Sequence, residues 1–319
     1  MPEAAVAGAV TASAQGIPVV LVGDRARIAP LLEAAGVELH VEHTTDAIGM
    51  DENASEVRRR RDSSVFRCMT MVKDGRASAA VSLGHSGATM AAALFALGRI
   101  PGVDRPAIVT VIPSDRGPVA LLDAGANADC RPAWLQQFAV MGSIFARVYL
   151  DRPNPTVGLV SIGEEPEKGN ELVLAAHPLL AATPGISFHG NVEGRDLLAG
   201  TTDVFVTDGF TGNVMLKLAE GEAKMLFKWI SAAIKGGGPL ARLGGAMVKP
   251  TLLEMRKRLD PSSVGAQPLL GVNGNVFIGH GSAEAEAVTN ALRTAQTAVQ
   301  AELSGKLTAA LAALEPAAG

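Results

Sequence analysis

Short apolar runs rich in valine, leucine and isoleucine recur along the chain, and most end in a small polar loop carrying glycine. Runs at 17–22, 37–41, 79–82, 109–112, 119–122, 157–162, 186–188, 204–206 and 276–278 predict strands. Helical spacing fills the stretches between them. Residues 3–14 are alanine-rich, and Gly23-Asp24 opens a helix towards Leu32. Asp62-Ser63-Ser64 caps a helix carrying Val65, Met69 and Val72, with Gly75 as its stop. Further helices are predicted up to Leu97, from Pro132 towards Val148, and after an N-cap at Ser282. This alternation predicts an α/β fold around a mostly parallel sheet, in a single domain over 1–319. Opening on a helix is unusual for such a sheet, and 46–56 reads as a loop.

The stretch 201–221, TTDVFVTDGFTGNVMLKLAEG, shows the repeated unit most clearly. A buried strand runs into Asp208-Gly209-Phe210-Thr211-Gly212-Asn213 and then into a helix, an arrangement whose backbone N–H groups can face an anion. Comparable loops lie at 82–88, 123–130, 162–170 and 278–282. Strand ends of an open parallel sheet share one rim, where ligands bind. These loops are therefore expected to gather into one cleft, with Asn127, Lys168, Asn213 and either His85 or His280 as side-chain candidates. None is a dinucleotide fingerprint or a Walker A loop, and neither a G-x-S-x-G elbow nor paired metal carboxylates stand out.

Composition narrows the function. A 48% hydrophobic content with only 4% aromatic residues suits α/β packing, and a net charge of −4 gives no whole-surface attraction to nucleic acid. Cys68 and Cys130 lie far apart with no CxxC, which argues for a reducing compartment and against zinc; Cys68 is expected in the core. No run is long enough to span a bilayer and no signal peptide is visible, so a cytoplasmic location is expected.

Residues 222–260 predict a projecting helical hairpin. Met225, Leu226, Trp229, Ile230 and Ala233 share one stripe, suited to a dimer interface. Gly236-Gly237-Gly238-Pro239 breaks the helix, and Leu240, Leu243, Met247 and Val248 follow among Arg242 and Lys249. Such a tip suits shallow insertion beside anionic headgroups. Pro250 is expected to set off a second stretch, 251–259, with a basic group at Arg256, Lys257 and Arg258. A second basic cluster, Arg58 to Arg61, reads as a solvated helix start or a receptor for an acidic partner.

SLGHSGATM, LLDAGANADC, VSIGEEPEKGNEL, FHGNVEGRDLLAGTTDVFVTDGFTGNVMLK and LLGVNGNVFIGHG, in that order, resemble the bacterial phosphate acyltransferases of phospholipid synthesis. The resemblance covers nearly the whole chain and is specific in its DGFTGN, GEE…KG and GANxxC blocks together. It implies a fold similar to isopropylmalate dehydrogenases and phosphotransacetylases. It also implies a homodimer on the inner membrane surface that transfers a fatty acyl group from acyl carrier protein to inorganic phosphate, giving acyl phosphate. Two departures follow. The family opens on a strand and a D-x-M-G-G-D loop, and this sequence starts beyond them, so an N-terminal strand is expected to be missing and a sheet edge bare. His85 stands where the family more often has asparagine, adding a titratable group near the expected phosphate.

Phosphate is already a nucleophile and a thiol a competent leaving group, so this transfer needs no metal, redox group or other cofactor. It needs an anion pocket and a donor for the oxyanion formed at the thioester carbonyl. Lys168, the only lysine in a rim loop, is the first candidate for charge stabilisation; a surface ion pair with Glu164 or Glu165 explains it equally well. Asn213 and Asn127 would donate to phosphate or carbonyl, with turn chemistry as the competing role. His85, Ser86, Gly87, Gly209, Thr211 and Gly212 complete the expected substrate pocket. Asp208 is expected to orient, and His280 to hand a proton to the thiolate or serve structurally. Cys130 has no paired base, which favours direct transfer over an acyl-enzyme. A coenzyme A-dependent acyltransferase, a decarboxylating dehydrogenase lacking its aspartates, and a non-catalytic organiser of lipid enzymes are the alternatives.

Overall fold

The computed structural model of the chain describes residues 2–259, 265–281 and 283–313. Its first half comprises α1 (Pro2–Ala14), β1 (Val20–Gly23), α2 (Arg25–Ala35), β2 (His40–His43), a 3-10 turn (Ala54–Arg58), α3 (Ser64–Lys73), β3 (Ala79–Ser82), α4 (Ser86–Ala96), β4 (Ala107–Ile112), β5 (Val119–Leu122) and α5 (Pro132–Tyr149). Then come β6 (Thr156–Val160), α6 (Glu171–Ala181), β7 (Ser187–Val192), α7 (Gly194–Ala199), β8 (Val204–Val206), α8 (Gly209–Gly236), α9 (Pro239–Leu259), β9 (Ala266–Leu270), β10 (Asn275–Gly279), α10 (Ala285–Gln300) and α11 (Leu303–Ala312).

Eight strands form one sheet in the order β3-β10-β9-β4-β5-β8-β6-β7, while β1 and β2 pair in parallel apart from it. Helices cover both faces of the large sheet, and its strands alternate between them accordingly. Val109, Leu122 and Val204 pack with Phe138, Met141 and Phe145 of α5. Ile108, Leu121 and Phe205 turn the other way, towards Ala92 of α4 and Leu216 of α8. Helix α1 lies on α10, where Thr289 Oγ1 donates to the Gly8 carbonyl at 3.2 Å. A Cβ at Gly8 would stand 2.5 Å from Val288 Cβ, so the close crossing requires glycine.

The sheet is less uniform than expected. Four of its pairings are parallel, but β10-β9, β9-β4 and β4-β5 are antiparallel. Strands β3, β10 and β4 therefore run against β5, β8, β6, β7 and β9. The loops after β3 and β10 end at the opposite rim from those after β5, β6 and β8, which corrects the single-rim expectation. Strands β4 and β9 pair only at Ala107/Leu270 and Ile108/Leu269. Below that point they part, and the sheet opens into a cleft.

Helices α8 and α9 form the expected hairpin, but α9 runs unbroken through Pro250. The separate stretch expected at 251–259 is thus part of one helix, since a proline removes only one N–H donor and the turns on both sides persist. Arg60 turns inward to pair with Asp46 and Glu52 and donates to the Ala47 carbonyl at 2.7 Å. Arg60 is accordingly a clamp on the 46–56 loop, while Arg58, Arg59 and Arg61 stay exposed as a solvated face. Ser282 lies outside the described residues; Glu284 precedes α10 without a side-chain cap bond.

Candidate active site

The cleft is about 1240 Å³ and is lined by Thr110 and Ile112 of β4, Gln267 of β9, Gly125, and Asn213 and Lys217 of α8, with Ser86 and His280 from the other half. Three expected site residues, Ser86, Asn213 and His280, therefore face the same space despite the opposed strand directions. The split in the sheet brings them together, not a common rim.

The loop after β5 is wound around one buried carboxylate. Asp123 Oδ1 accepts from the backbone N–H groups of Ile108 (3.1 Å), Gly125 (3.1 Å) and Ala126 (2.9 Å). Its Oδ2 accepts from Asn127 N (2.7 Å) and Asn127 Nδ2 (2.9 Å). Burial pushes the Asp123 carboxyl above the usual carboxylate range, and these donors pull it back. The second amide proton of Asn127 goes to the Pro106 carbonyl at 2.8 Å. Asn127 is thus committed to shaping the loop, which corrects its expected role as a ligand donor.

Helix α8 begins against this loop. Asp208 caps it, accepting from Thr211 N at 2.8 Å and from Thr211 Oγ1 at 2.8 Å. Gly209 N donates to the Asn127 carbonyl at 2.7 Å and Gly212 N to the Asp208 carbonyl at 2.9 Å. The N–H groups of Gly209, Thr211 and Gly212 are therefore satisfied internally, and the DGFTGN turn does not present them to an anion. Its glycines serve close packing instead, because a Cβ at Gly212 would stand 1.9 Å from the Asp123 carbonyl oxygen. The tight seat positions the next residue: Asn213 is exposed, lies over Gly125, and its side chain makes no hydrogen bond with the described residues.

A different helix start is open. His85 caps α4 by accepting from Ala88 N at 3.3 Å through Nδ1, the job an asparagine does at an N-cap. The backbone N–H groups of Ser86 and Gly87 have no acceptor among the described residues. With an exposed Ser86 hydroxyl, they form an anion-accepting corner on the cleft wall. His280 is exposed on the same cleft.

Lys168 sits on the loop after β6, outside the cleft lining. It shares a rim with Asn213, because β6 and β8 are neighbouring parallel strands. Its side chain is exposed and pairs with neither Glu164 nor Glu165; Glu164 instead meets Arg195 at 3.3 Å. Burial pushes the Cys130 thiol up to about 12, and that of Cys68 likewise to about 12. Sequence reasoning passed over Asp123, Lys217 and Glu220. Lys217 and Glu220 pair at 3.0 Å, and their signal was the three-residue spacing on a helix lining the cleft. No group of three or more His, Cys, Asp or Glu side chains is placed to hold a metal among the described residues.

Residues 1–306 match the family model described as fatty acid synthesis protein. The chain belongs to this family. It is 53% identical over 98% of its length to the phosphate acyltransferase of Thermus thermophilus, covering 95% of that protein. The Deinococcus radiodurans phosphate acyltransferase is 52% identical, over 81% of this chain and 73% of its own. The chain is accordingly an acyltransferase. Among solved structures, a phosphotransacetylase from Streptococcus pyogenes superposes with a TM-score of 0.64 at 18% identity, over 94% of this chain and 92% of its own. A phosphotransacetylase from Staphylococcus aureus gives 0.59 at 18% identity, over the same shares. Both share the α/β fold with its mostly parallel sheet.

Proposed function

We propose that the enzyme transfers a long-chain fatty acyl group from acyl carrier protein to inorganic phosphate, releasing acyl phosphate and the carrier thiol. The observation that carries this reading is the cleft itself, where the open N-terminus of α4 faces the unengaged amide of Asn213. Phosphate sits on the Ser86 and Gly87 N–H groups, and Asn213 donates to the thioester carbonyl. A phosphate oxygen attacks that carbon, the C–S bond breaks, and the thiolate takes a proton, for which His280 on the cleft wall is the proposed donor. Lys168 stabilises the developing oxyanion from the neighbouring loop. A thiol held near 12 is protonated at neutral pH, which disfavours an acyl-enzyme on Cys130 and supports direct transfer. The test is phosphate-dependent consumption of acyl-carrier protein by the pure enzyme, with acyl phosphate as product. Consumption only of acyl-coenzyme A would redirect the donor assignment, and no consumption of either would leave a non-catalytic organiser of lipid enzymes.

The acidic carrier is proposed to dock on Arg256, Lys257 and Arg258 at the base of α9. Arg256 is exposed at the cleft margin, and the side chains of the other two lie outside the described residues. Lys257→Glu with Arg258→Glu is expected to raise KM for the carrier-bound donor several-fold, more at low salt, and to spare acyl-coenzyme A turnover. Equal loss with both donors would show that the pair acts on the fold.

The same reading places the enzyme on the inner membrane face as a homodimer. The tip residues Leu240 (85%), Leu243 (62%) and Met247 (76%) are exposed, as is Val248, among Arg242 and Lys249. An outward stripe of α8, including Phe210, Val214, Leu218 and Trp229, is open to cover by a second copy. No described helix is long and apolar enough to cross a membrane. Replacing Leu240, Leu243 and Met247 with Glu is expected to abolish binding to anionic liposomes while the dimer persists in sedimentation. Retained binding or a collapse to monomer would reject the tip as the anchor.

A further inference from the structure

In the site proposed above, phosphate meets two backbone N–H groups and the Ser86 hydroxyl, so its affinity depends on how firmly that corner is held. The corner stands between two neighbouring loops, those after β3 and β10, because these strands pair in parallel with Ile278 opposite Ser82. A Cβ at Gly279 would stand 2.5 Å from Leu83 Cδ2, so the two loops also pack on one another. Residues 46–58 lie across both. A Cβ at Gly87 would fall 3.1 Å from Ala54 Cβ, and one at Gly281 would fall 3.5 Å from Met50 Sδ. The segment therefore touches the anion corner beside Ser86 and the residue that follows His280.

A few side chains keep the segment in place. At its base Thr44 Oγ1 donates to the Asp62 carbonyl at 2.7 Å, Ser64 N donates to the Asp46 carbonyl at 2.8 Å, and Ile48 packs on the core. Beyond the base, Arg60 gathers it. Its Nε donates to Asp46 Oδ1 at 2.9 Å, and Nη2 bonds the same oxygen and the Ala47 carbonyl, the latter at 2.7 Å. Its Nη1 bonds Glu52 Oε2, while Glu52 Oε1 accepts from Gly49 N at 3.3 Å. One planar guanidinium thus draws 46–52 closed just ahead of the 3-10 turn that carries Ala54. The three side chains are about one-third exposed, and ion pairs in such a setting add little to the stability of a fold. So many bonds on a half-exposed arginine serve to place the segment more than to hold the protein together.

We propose that Arg60 is a positioning residue for phosphate, holding 46–58 as a strap across Gly87 and Gly281. The strap keeps the anion corner and the His280 loop in register, and Arg60 itself does not line the cleft. This rests on the acyl transfer reading for the identity of the anion. With the clamp opened, the strap leaves the corner part of the time, and phosphate affinity falls with the fraction of molecules in which the corner is formed.

Inorganic phosphate titrated into the intact protein without acyl donor, followed by phosphorus NMR, tests the strap apart from catalysis. Arg60→Gln is expected to weaken phosphate by about three- to tenfold and to raise its KM by the same factor. The KM for the acyl donor and the melting temperature are expected to stay close to wild type. Arg60→Lys keeps the charge without the fork, and is expected to fall between. Ala54→Leu leaves the clamp whole and lifts the strap from Gly87, and is expected to weaken phosphate as Arg60→Gln does. Unchanged phosphate affinity in either Arg60→Gln or Ala54→Leu overturns the proposal. So does an equal rise in KM for both substrates, or an Arg60→Gln protein that melts far below wild type, because the arginine would then serve the whole fold. A protein whose phosphate binding responds as expected but which turns over no thioester would retain the strap and lose the transfer reading.

Discussion

Lys168→Ala is expected to lower kcat by about 100- to 1,000-fold, the equivalent of about 3–4 kcal/mol, which is what losing one oxyanion donor costs. The residue's setting makes the experiment clean. Its side chain is exposed and holds no ion pair with the described residues, so its removal leaves no buried partner behind among them and the melting temperature should stay where it is. Its backbone does the structural work of the loop: the Lys168 carbonyl accepts from Ser161 Oγ at 3.1 Å, and alanine keeps that bond. An ammonium with no partner among the described residues, on a loop beside that of Asn213, suits a group whose counter-charge arrives with the substrate. A fall in kcat and kcat/KM together would mark a contact made only in the transition state, while a rise in KM alone would mark ground-state phosphate binding. Near-normal acyl phosphate production by the folded variant rejects the role and leaves Lys217, inside the cleft, as the cation to test.

How far the sequence foretold this site depended on which physical property was being read. Strands β5 and β8 fall at the positions expected from their apolar runs, because both are buried on two faces and no polar residue interrupts them. Strand β9 escaped, since AQPLL carries a proline, which pattern reasoning assigns to edges or bends. Pro268 is tolerated in an inner strand because β4 pairs with β9 only opposite Leu269 and Leu270. The residue that hid the strand marks the place where the sheet opens. Strand direction was equally illegible, as a period of two is the same read either way. That is why the expected common rim does not exist, and Ser86 and His280 share a cleft with Asn213 only through the split in the sheet. The position of Asn213 on the rim was legible, but the role of Gly209 and Gly212 as packing residues was not. Only the 1.9 Å approach of a Cβ at Gly212 to the Asp123 carbonyl distinguishes a tight helix seat from an anion loop. Asp123 itself gave no signal, since an aspartate after a strand is an ordinary turn residue until its partners are known.

That aspartate carries the other large expectation, which is that Asp123→Ala destabilises the enzyme by at least about 3 kcal/mol. Asp123 is fully buried and accepts five N–H groups, four from the backbone and one from Asn127. An unsatisfied buried donor costs about 1–3 kcal/mol, and water entering the vacated space from the nearby cleft would recover only part of the sum. At the size of this chain the change should lower the melting temperature by roughly 5–10 °C. The loss would reach the site as well, because the Asp123 turn sets both Gly125, under the Asn213 amide, and the backbone oxygen against which Gly212 packs. Asp123→Asn separates shape from charge. The new amide keeps one oxygen for the N–H groups of Ile108, Gly125 and Ala126, but it turns a donor towards Asn127, whose N and Nδ2 are donors too. Stability between wild type and the alanine variant, with turnover nearer the alanine variant, is the expected pattern. An alanine variant that melts with the wild type would mean that the loop finds other acceptors. The carboxylate would then have no claim to hold the two halves of the rim in register.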